Sequence, residues 1–247
     1  MRKIVFLLAV ILGLAGCDSV DCVKSTGPMQ SKEFTGLSFT KIRVNKGIAL
    51  VLKQGAETSV KVISGENLIN DIEVNVADSL IMFDDNTSCN WVRDYGQTTV
   101  YITAPNITDI FSKTEQSITS DGVLAYNNLH LTAIDSEDGM DGAGTGDFIL
   151  NIDNENIIVE SNTVARFYLS GKAQYLESDF YSGNSTLRAE NLLANKVKVF
   201  HRGSNDMFVH PLNEIFGEIY NVGDVHAVFR PGIVNVNEHY RGRLIFD

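Results

Sequence analysis

Residues 147–187 read DFILNIDNENIIVESNTVARFYLSGKAQYLESDFYSGNSTL, and the pairs Asp147-Phe148, Arg166-Phe167 and Thr186-Leu187 within them set a period. Each pair places a polar residue before an apolar one at the head of an alternating run, the pattern of a strand leaving a turn. The same junction recurs upstream at Ser117-Ile118 and downstream at Asp206-Met207, Asp224-Val225 and Arg243-Leu244. The apolar members stand 30, 19, 20, 20, 18 and 19 residues apart. A second apolar column, Leu129, Ile157, Leu176, Leu192, Leu212 and Ile233, closes the units. One such unit cannot bury its apolar face alone, so the units must stack. Strand residues without helical periodicity therefore predict an all-β chain whose coils of about 19–20 residues form a right-handed parallel β-helix, or solenoid.

The first interval is the exception, and it contains the stretch IDSEDGMDGAGTGDF, residues 134–148. Its surplus falls on Ser136–Thr145, which reads as an insertion in one turn whose removal should spare the fold. A phosphate loop needs Gly-Lys-Ser/Thr at its end, whereas here Thr145 follows Gly144 without a lysine, and the carboxylates would repel a phosphate. An EF-hand counted from Asp135 would put Met140 at the glycine position and Gly146 at the final glutamate. The calcium-binding nonapeptide of β-rolls comes nearer, but Gly146 occupies its aspartate place and the run occurs once. What stays open is weak calcium or partner binding by Asp135, Glu137, Asp138, Asp141 and Asp147, against a solvated turn whose charge prevents aggregation. No cofactor is otherwise expected.

Upstream, alternation continues in FTKIRVNKGIALVLKQG (39–55), SVKVI, SLIMF and TTVYITAP, giving an N-terminal strand region over 33–105 before the repeated coils of 106–247. Arg2 and Lys3 precede an apolar run from Ile4 to Leu12, and Leu14-Ala15-Gly16-Cys17 follows. This start resembles a bacterial lipoprotein signal peptide, cut after residue 16 to leave Cys17 lipidated. Residues 17–32 then read as a flexible tether, and 33–247 as one domain. Loss of Arg2 and Lys3 lowers Lys+Arg from 20 to 18 against 31 Asp+Glu, a formal charge of −13. So acidic a surface argues against nucleic acid as a partner and leaves the acyl anchor as its route to a membrane. Cys22 and Cys89 remain as a pair in an oxidising compartment, where a bridge across 66 intervening residues would stabilise by roughly 4 kcal/mol.

From FTKIRVNKGIALVLKQG through VKVISGENLINDIEV and TTVYITAPNIT to the turns GTGDF, YLSGKAQYL, RGSNDMFV and NVGDVHAV, the chain resembles the head GIN domain family of auto-transporter adhesin type. The resemblance implies a β-solenoid in a bacterial lipoprotein or exported protein, with no catalytic residues to transfer. The family's Gly-Ser-Gly-Asp turn is absent from SKTEQSIT and SNTVARF. The expectation is a cell-envelope protein, lipid-anchored at the outer membrane, that binds a protein or glycan without turnover. Its rival is a calcium-assisted polysaccharide lyase or hydrolase, because parallel β-helices host such enzymes and Asp206 and Asp224 fall on adjoining coils. The five histidines, His130, His201, His210, His226 and His239, lack metal-motif spacing and read as scattered surface residues. Trp91, Tyr95, Tyr168, Tyr181 and Tyr240 would stack on sugar rings only if exposed.

Overall fold

In β11 (Asp147–Ser161) Phe148, Leu150 and Ile152 are buried on one phase of the strand, and Ile157 and Val159 on the other. The change of phase falls where the strand exchanges one neighbour for another: its first half pairs with β9 (Ile118–Leu124) and its second with β10 (Asn128–Ala133). A continuous strand thereby supplies two legs of a coil. The computed structural model describes residues 21–87, 90–92, 94–135 and 144–247. The expected signal segment, Cys17, Cys89, and Glu137, Asp138 and Asp141 of the acidic run lie outside the described residues.

Strands β12 (Arg166–Phe180), β13 (Thr186–His201) and β14 (Met207–Ile219) repeat the two-legged plan, and β15 (Val225–Ala227), β16 (Ile233–Glu238) and β17 (Leu244–Phe246) end the stack. All pair in parallel. Ile118, Phe148, Phe167, Leu187, Met207, Val225 and Leu244 form one continuous register, so the first column read from the sequence is the inner row of one leg. Phe148 stacks on Phe167 with centroids 4.7 Å apart, and Phe180 lies 5.8 Å from Phe167. Burying each ring stabilises by about 1.5–3 kcal/mol before the cost of ordering it.

The second column needs correction. Ile157 and Leu176 do pair, but the next partners are Val197, Ile215 and Val234, while Leu192 lies beside Gly171 and Ile233 beside Glu214. The cause is a register irregularity at the corner. Where β12 turns it with Leu169 between the paired Tyr168 and Ser170, β13 has both Ala189 and Glu190. Against β14 the imbalance reverses: β13 places Glu190, Asn191 and Leu192 between Ala189 and Leu193, whereas their partners Val209 and His210 are adjacent. Turns of nearly constant length hold the first column, and corners of varying length displace the second.

The N-terminal region is built differently. Here lie β1 (Met29–Phe34), β2 (Lys41–Val44), β3 (Ile48–Gln54), β4 (Ser59–Gly65), β5 (Ile72–Ala77), β6 (Leu80–Asp85), β7 (Thr98–Ala104) and β8 (Asp109–Ser112). β2 pairs in parallel with both β6 and β8, and β3 with both β7 and β9, so the earliest coil sits between later ones. β4 and β5 run antiparallel to β7 and β6, and β1 antiparallel to β4. The all-β chain is thus a curled, open sheet, 17-stranded among the described residues, and not a uniform parallel helix. Strand β1 also moves the expected tether boundary, since Met29–Lys32 pair with Val62–Gly65. Its residues from Met29 to Glu33 are exposed on both faces and only Phe34 packs against the core, so the strand carries no alternation to read.

The insertion is shorter than expected. Ile157 pairs back to Leu129 and forward to Leu176, and the first of these intervals exceeds the second by nine. Gly144 is not part of the surplus: its carbonyl accepts the Thr163 hydroxyl at 3.0 Å. At φ +58°, a Cβ there would meet the Ser112 carbonyl at 2.2 Å, so only glycine fits. The Gly146 amide likewise donates to the Thr114 carbonyl at 2.9 Å. Cutting through residue 145 would remove a turn of the coil.

Candidate functional site

The base of the acidic loop is tied to the coils. The Asp135 amide donates to Asn162 Oδ1 at 2.7 Å, and Asn162 Nδ2 returns a bond to the Asp135 carbonyl at 3.0 Å. Asp147 receives both Nε and Nη2 of Arg166 from the next coil, at 2.7 and 3.1 Å, and these bonds raise the guanidinium's pKa. Asp147 therefore belongs to the ladder between coils.

Asp206 and Asp224 do lie on adjoining coils, and each has a structural task. Asp206 Oδ1 accepts the Asp224 amide at 2.9 Å, and Asp224 Oδ1 accepts the Arg243 amide at 2.7 Å. Each carboxylate caps the backbone that begins the next coil, which a charge-assisted bond does well. His226 joins them: one ligand atom from each of the three lies within 4.8 Å of the others, and His226 Nδ1 faces Asp247 at 3.1 Å. The trio has the donor types a divalent cation takes. His210 stands apart, its ring stacked 6.3 Å from Phe229 and its Nδ1 3.0 Å from the Glu190 carbonyl.

The expectation of surface histidines fails at His201, which is fully buried at the end of β13. Burial lowers its pKa, against the opposing influence of the Asn205 backbone and of Asp206 and Asp224.

The second leg carries an outward row that the sequence reading passed over. Glu160, Asp179, Phe200 and Glu218 are register partners on four successive coils. Beside them Tyr181, Phe200, Tyr220 and His239 make ring contacts at 6.0, 5.4 and 4.2 Å. Glu160 accepts the Tyr181 hydroxyl and faces His130 Nε2 at 2.6 Å, and Glu177 binds Lys198. Burial is the main cause that pushes Asp179 up to about 6, with Lys198 opposing and Glu177 reinforcing the rise. Hydrogen bonds from His239 and Asn237 hold Glu218 below its ordinary value. Rings and fixed acceptors thus run along the stack, a face that can stack on a ligand's apolar surface and accept its hydroxyl or amide protons. Tracking the neighbours of the second column from coil to coil would have found it.

At the other end, a concavity of about 620 Å³ opens among Lys46, Leu68, Asp85, Asp94, Tyr95 and Glu115. Burial would raise the Glu115 carboxyl, but bonds from Gln116 and the Gly47 amide, with the charge of Lys46, hold it low. Trp91 and Tyr95 in the adjoining loop are exposed, as are Tyr168, Tyr181 and Tyr240, so all five aromatics weighed for stacking reach solvent.

A family model described as "Putative auto-transporter adhesin, head GIN domain" matches residues 38–231. A search of curated proteins returns no match. Among solved structures, a "putative adhesin" from Bacteroides fragilis superposes with TM-score 0.78 at 19% identity, covering 90% of this chain and 99% of that one. A "putative adhesin" from Parabacteroides merdae gives 0.62 at 12% identity, covering 91% and 98%. A "Putative lipid binding protein" from Parabacteroides distasonis gives 0.64 at 12%, covering 90% and 98%. At these identities the likeness is one of fold.

Proposed function

Since the chain belongs to the head GIN domain family of auto-transporter adhesin type, we propose that it is an exported, lipid-anchored adhesion module that holds a glycan or protein ligand without turning it over. The observation that carries this reading is the outward row of Tyr181, Phe200, Tyr220 and His239 beside Glu160, Asp179 and Glu218. Solenoid coils commonly present such extended binding faces. The curled sheet is read as a right-handed solenoid, supported by parallel pairing of successive coils and by the handedness of parallel crossovers.

Anchoring through Cys17 is part of this reading, with the cell envelope, at the outer membrane, as its location. A Cys22–Cys89 bridge is part of the same reading. It is supported by the Trp91 amide, which donates to the Cys22 carbonyl at 2.9 Å just past Cys89 in the chain. In this reading the acidic loop takes weak calcium or a partner, and Asp206 and Asp224 beside His226 offer donors to a divalent cation. The trio's proximity also favours a second reading, a calcium-assisted glycan lyase or hydrolase.

Glycan-array binding run beside a reducing-sugar release assay, with and without calcium, separates the two readings. The adhesion reading expects binding without release. Calcium-dependent release that Asp224→Ala abolishes would establish the enzyme instead.

A further inference from the structure

Trp91, the chain's one tryptophan, is 74% exposed, and its neighbours Val92 and Tyr95 are 60% and 78% exposed. Val23 and Met29, on the incoming segment, are also more than half exposed. Large apolar side chains gathered on one short loop in water mark an interaction surface, and what covers this one is indicated by the chain that leads to it. The Trp91 amide is hydrogen-bonded to the Cys22 carbonyl at 2.9 Å. Cys22 follows close on Cys17, and the segment between them reaches at most about 18 Å fully extended. If Cys17 carries the acyl chains, the loop cannot leave the neighbourhood of the lipid headgroups.

Resting on that anchor reading, we infer that Trp91, Val92 and Tyr95 dock on the bilayer surface and fix the orientation of the coils above it. Tryptophan and tyrosine favour the interfacial layer, where an apolar ring and a polar N–H or O–H are both satisfied. The acyl chains supply retention, and the loop supplies a second contact that stops the domain from rotating about its tether. The strong net negative charge of the chain after signal removal selects a zwitterionic surface, because anionic headgroups would repel it. The lipidated end then faces the membrane, and the row of Tyr181, Phe200 and Tyr220 stands on later coils, away from it.

Trp91 is its own probe. The full-length lipidated protein is mixed with phosphatidylcholine vesicles and followed by co-sedimentation and tryptophan emission together. The expected result is co-sedimentation, a blue shift of the emission and a several-fold loss of quenching by aqueous iodide. In Val92→Asp/Tyr95→Asp, co-sedimentation should persist while the emission returns to its aqueous position. Co-sedimentation with Trp91 still open to iodide would overturn the docking and leave the anchor standing. Failure to co-sediment would overturn the anchor and the docking with it. A blue shift that rises with protein concentration in the absence of lipid would overturn the docking too, and assign the loop to contact between copies of this chain.

Discussion

The N-terminal strands and the later coils share one sheet but are joined by different rules. From β11 onward each coil lies on the coil just before it, one period back along the inner row. Before β9 the pairing leaps: β2 passes over β3, β4 and β5 to reach β6, and over two further strands to reach β8, and three strands run antiparallel. Closing such long loops costs more entropy before contacts repay it. The coils should therefore unfold as a nearly one-dimensional stack, and the N-terminal region, here called the plug, only as a whole. The two also divide the surface: the plug carries the exposed loop beside the N-terminal segment, and the coils carry the acidic and aromatic row.

Phe167→Ala should break the stack most severely. It removes a ring packed between Phe148 and Phe180, at an expected cost of about 3–5 kcal/mol, read by urea unfolding. Hydrogen exchange should rise first over β11 to β13 and only later over β2, β3 and β7. Simultaneous loss of protection everywhere would mean that the two regions are one cooperative unit.

Deletion separates insertion from coil. Without residues 136–143 the protein should stay within about 1 kcal/mol of wild type. Extending the cut to residue 145 removes the acceptor of Thr163 and the glycine that passes Ser112, at about 2 kcal/mol or more. Thermal melts of both variants check this, and equal melting temperatures would return Gly144 and Thr145 to the insertion.

A pH series sharpens the contrast within the coils. His201 has a folded pKa below its unfolded value near 6.5. As pH falls below about 6.5, the unfolded chain takes up the proton first, and stability drops by at most about 1.4 kcal/mol per pH unit. Asp179, raised to about 6, acts in the opposite direction: the folded state takes up the proton first, so its contribution improves as pH falls through 6. His201→Leu should therefore flatten or reverse the wild-type slope between pH 7 and 5. An unchanged slope would show that His201 does not set it.

The smallest effect is expected at the edge of the stack. Asp224→Ala loses the acceptor of the Arg243 amide, at about 1 kcal/mol, while Asp224→Asn keeps it. A loss above about 3 kcal/mol, checked by the same melts, would mark Asp224 as more than a cap.

The first apolar column was legible in the sequence because a short turn of nearly fixed length precedes Phe167, Leu187 and Met207, so sequence spacing equals spatial register. Beyond the corner that equality fails, and Leu192, Leu212 and Ile233 stood in for Val197, Ile215 and Val234. Strand β1 was illegible because pairing with β4, and no alternating buried face, holds it, Phe34 alone packing against the core. Among candidate site residues, the adjacency of Asp206 and Asp224 was foreseen, but their bonds to the next coil's backbone were not. The row of Glu160, Asp179, Phe200 and Glu218 escaped notice because outward positions mix charge with aromatic character and share no hydropathy.

The most direct test of the adhesion account is a glycan and matrix-protein array probed with the wild type, with Tyr181→Ala/Tyr220→Ala on the coils, and with Tyr95→Ala on the N-terminal plug. The account predicts that wild type and Tyr95→Ala bind alike and that the coil variant loses its signal. Binding that survives the coil variant and disappears with Tyr95→Ala would contradict it.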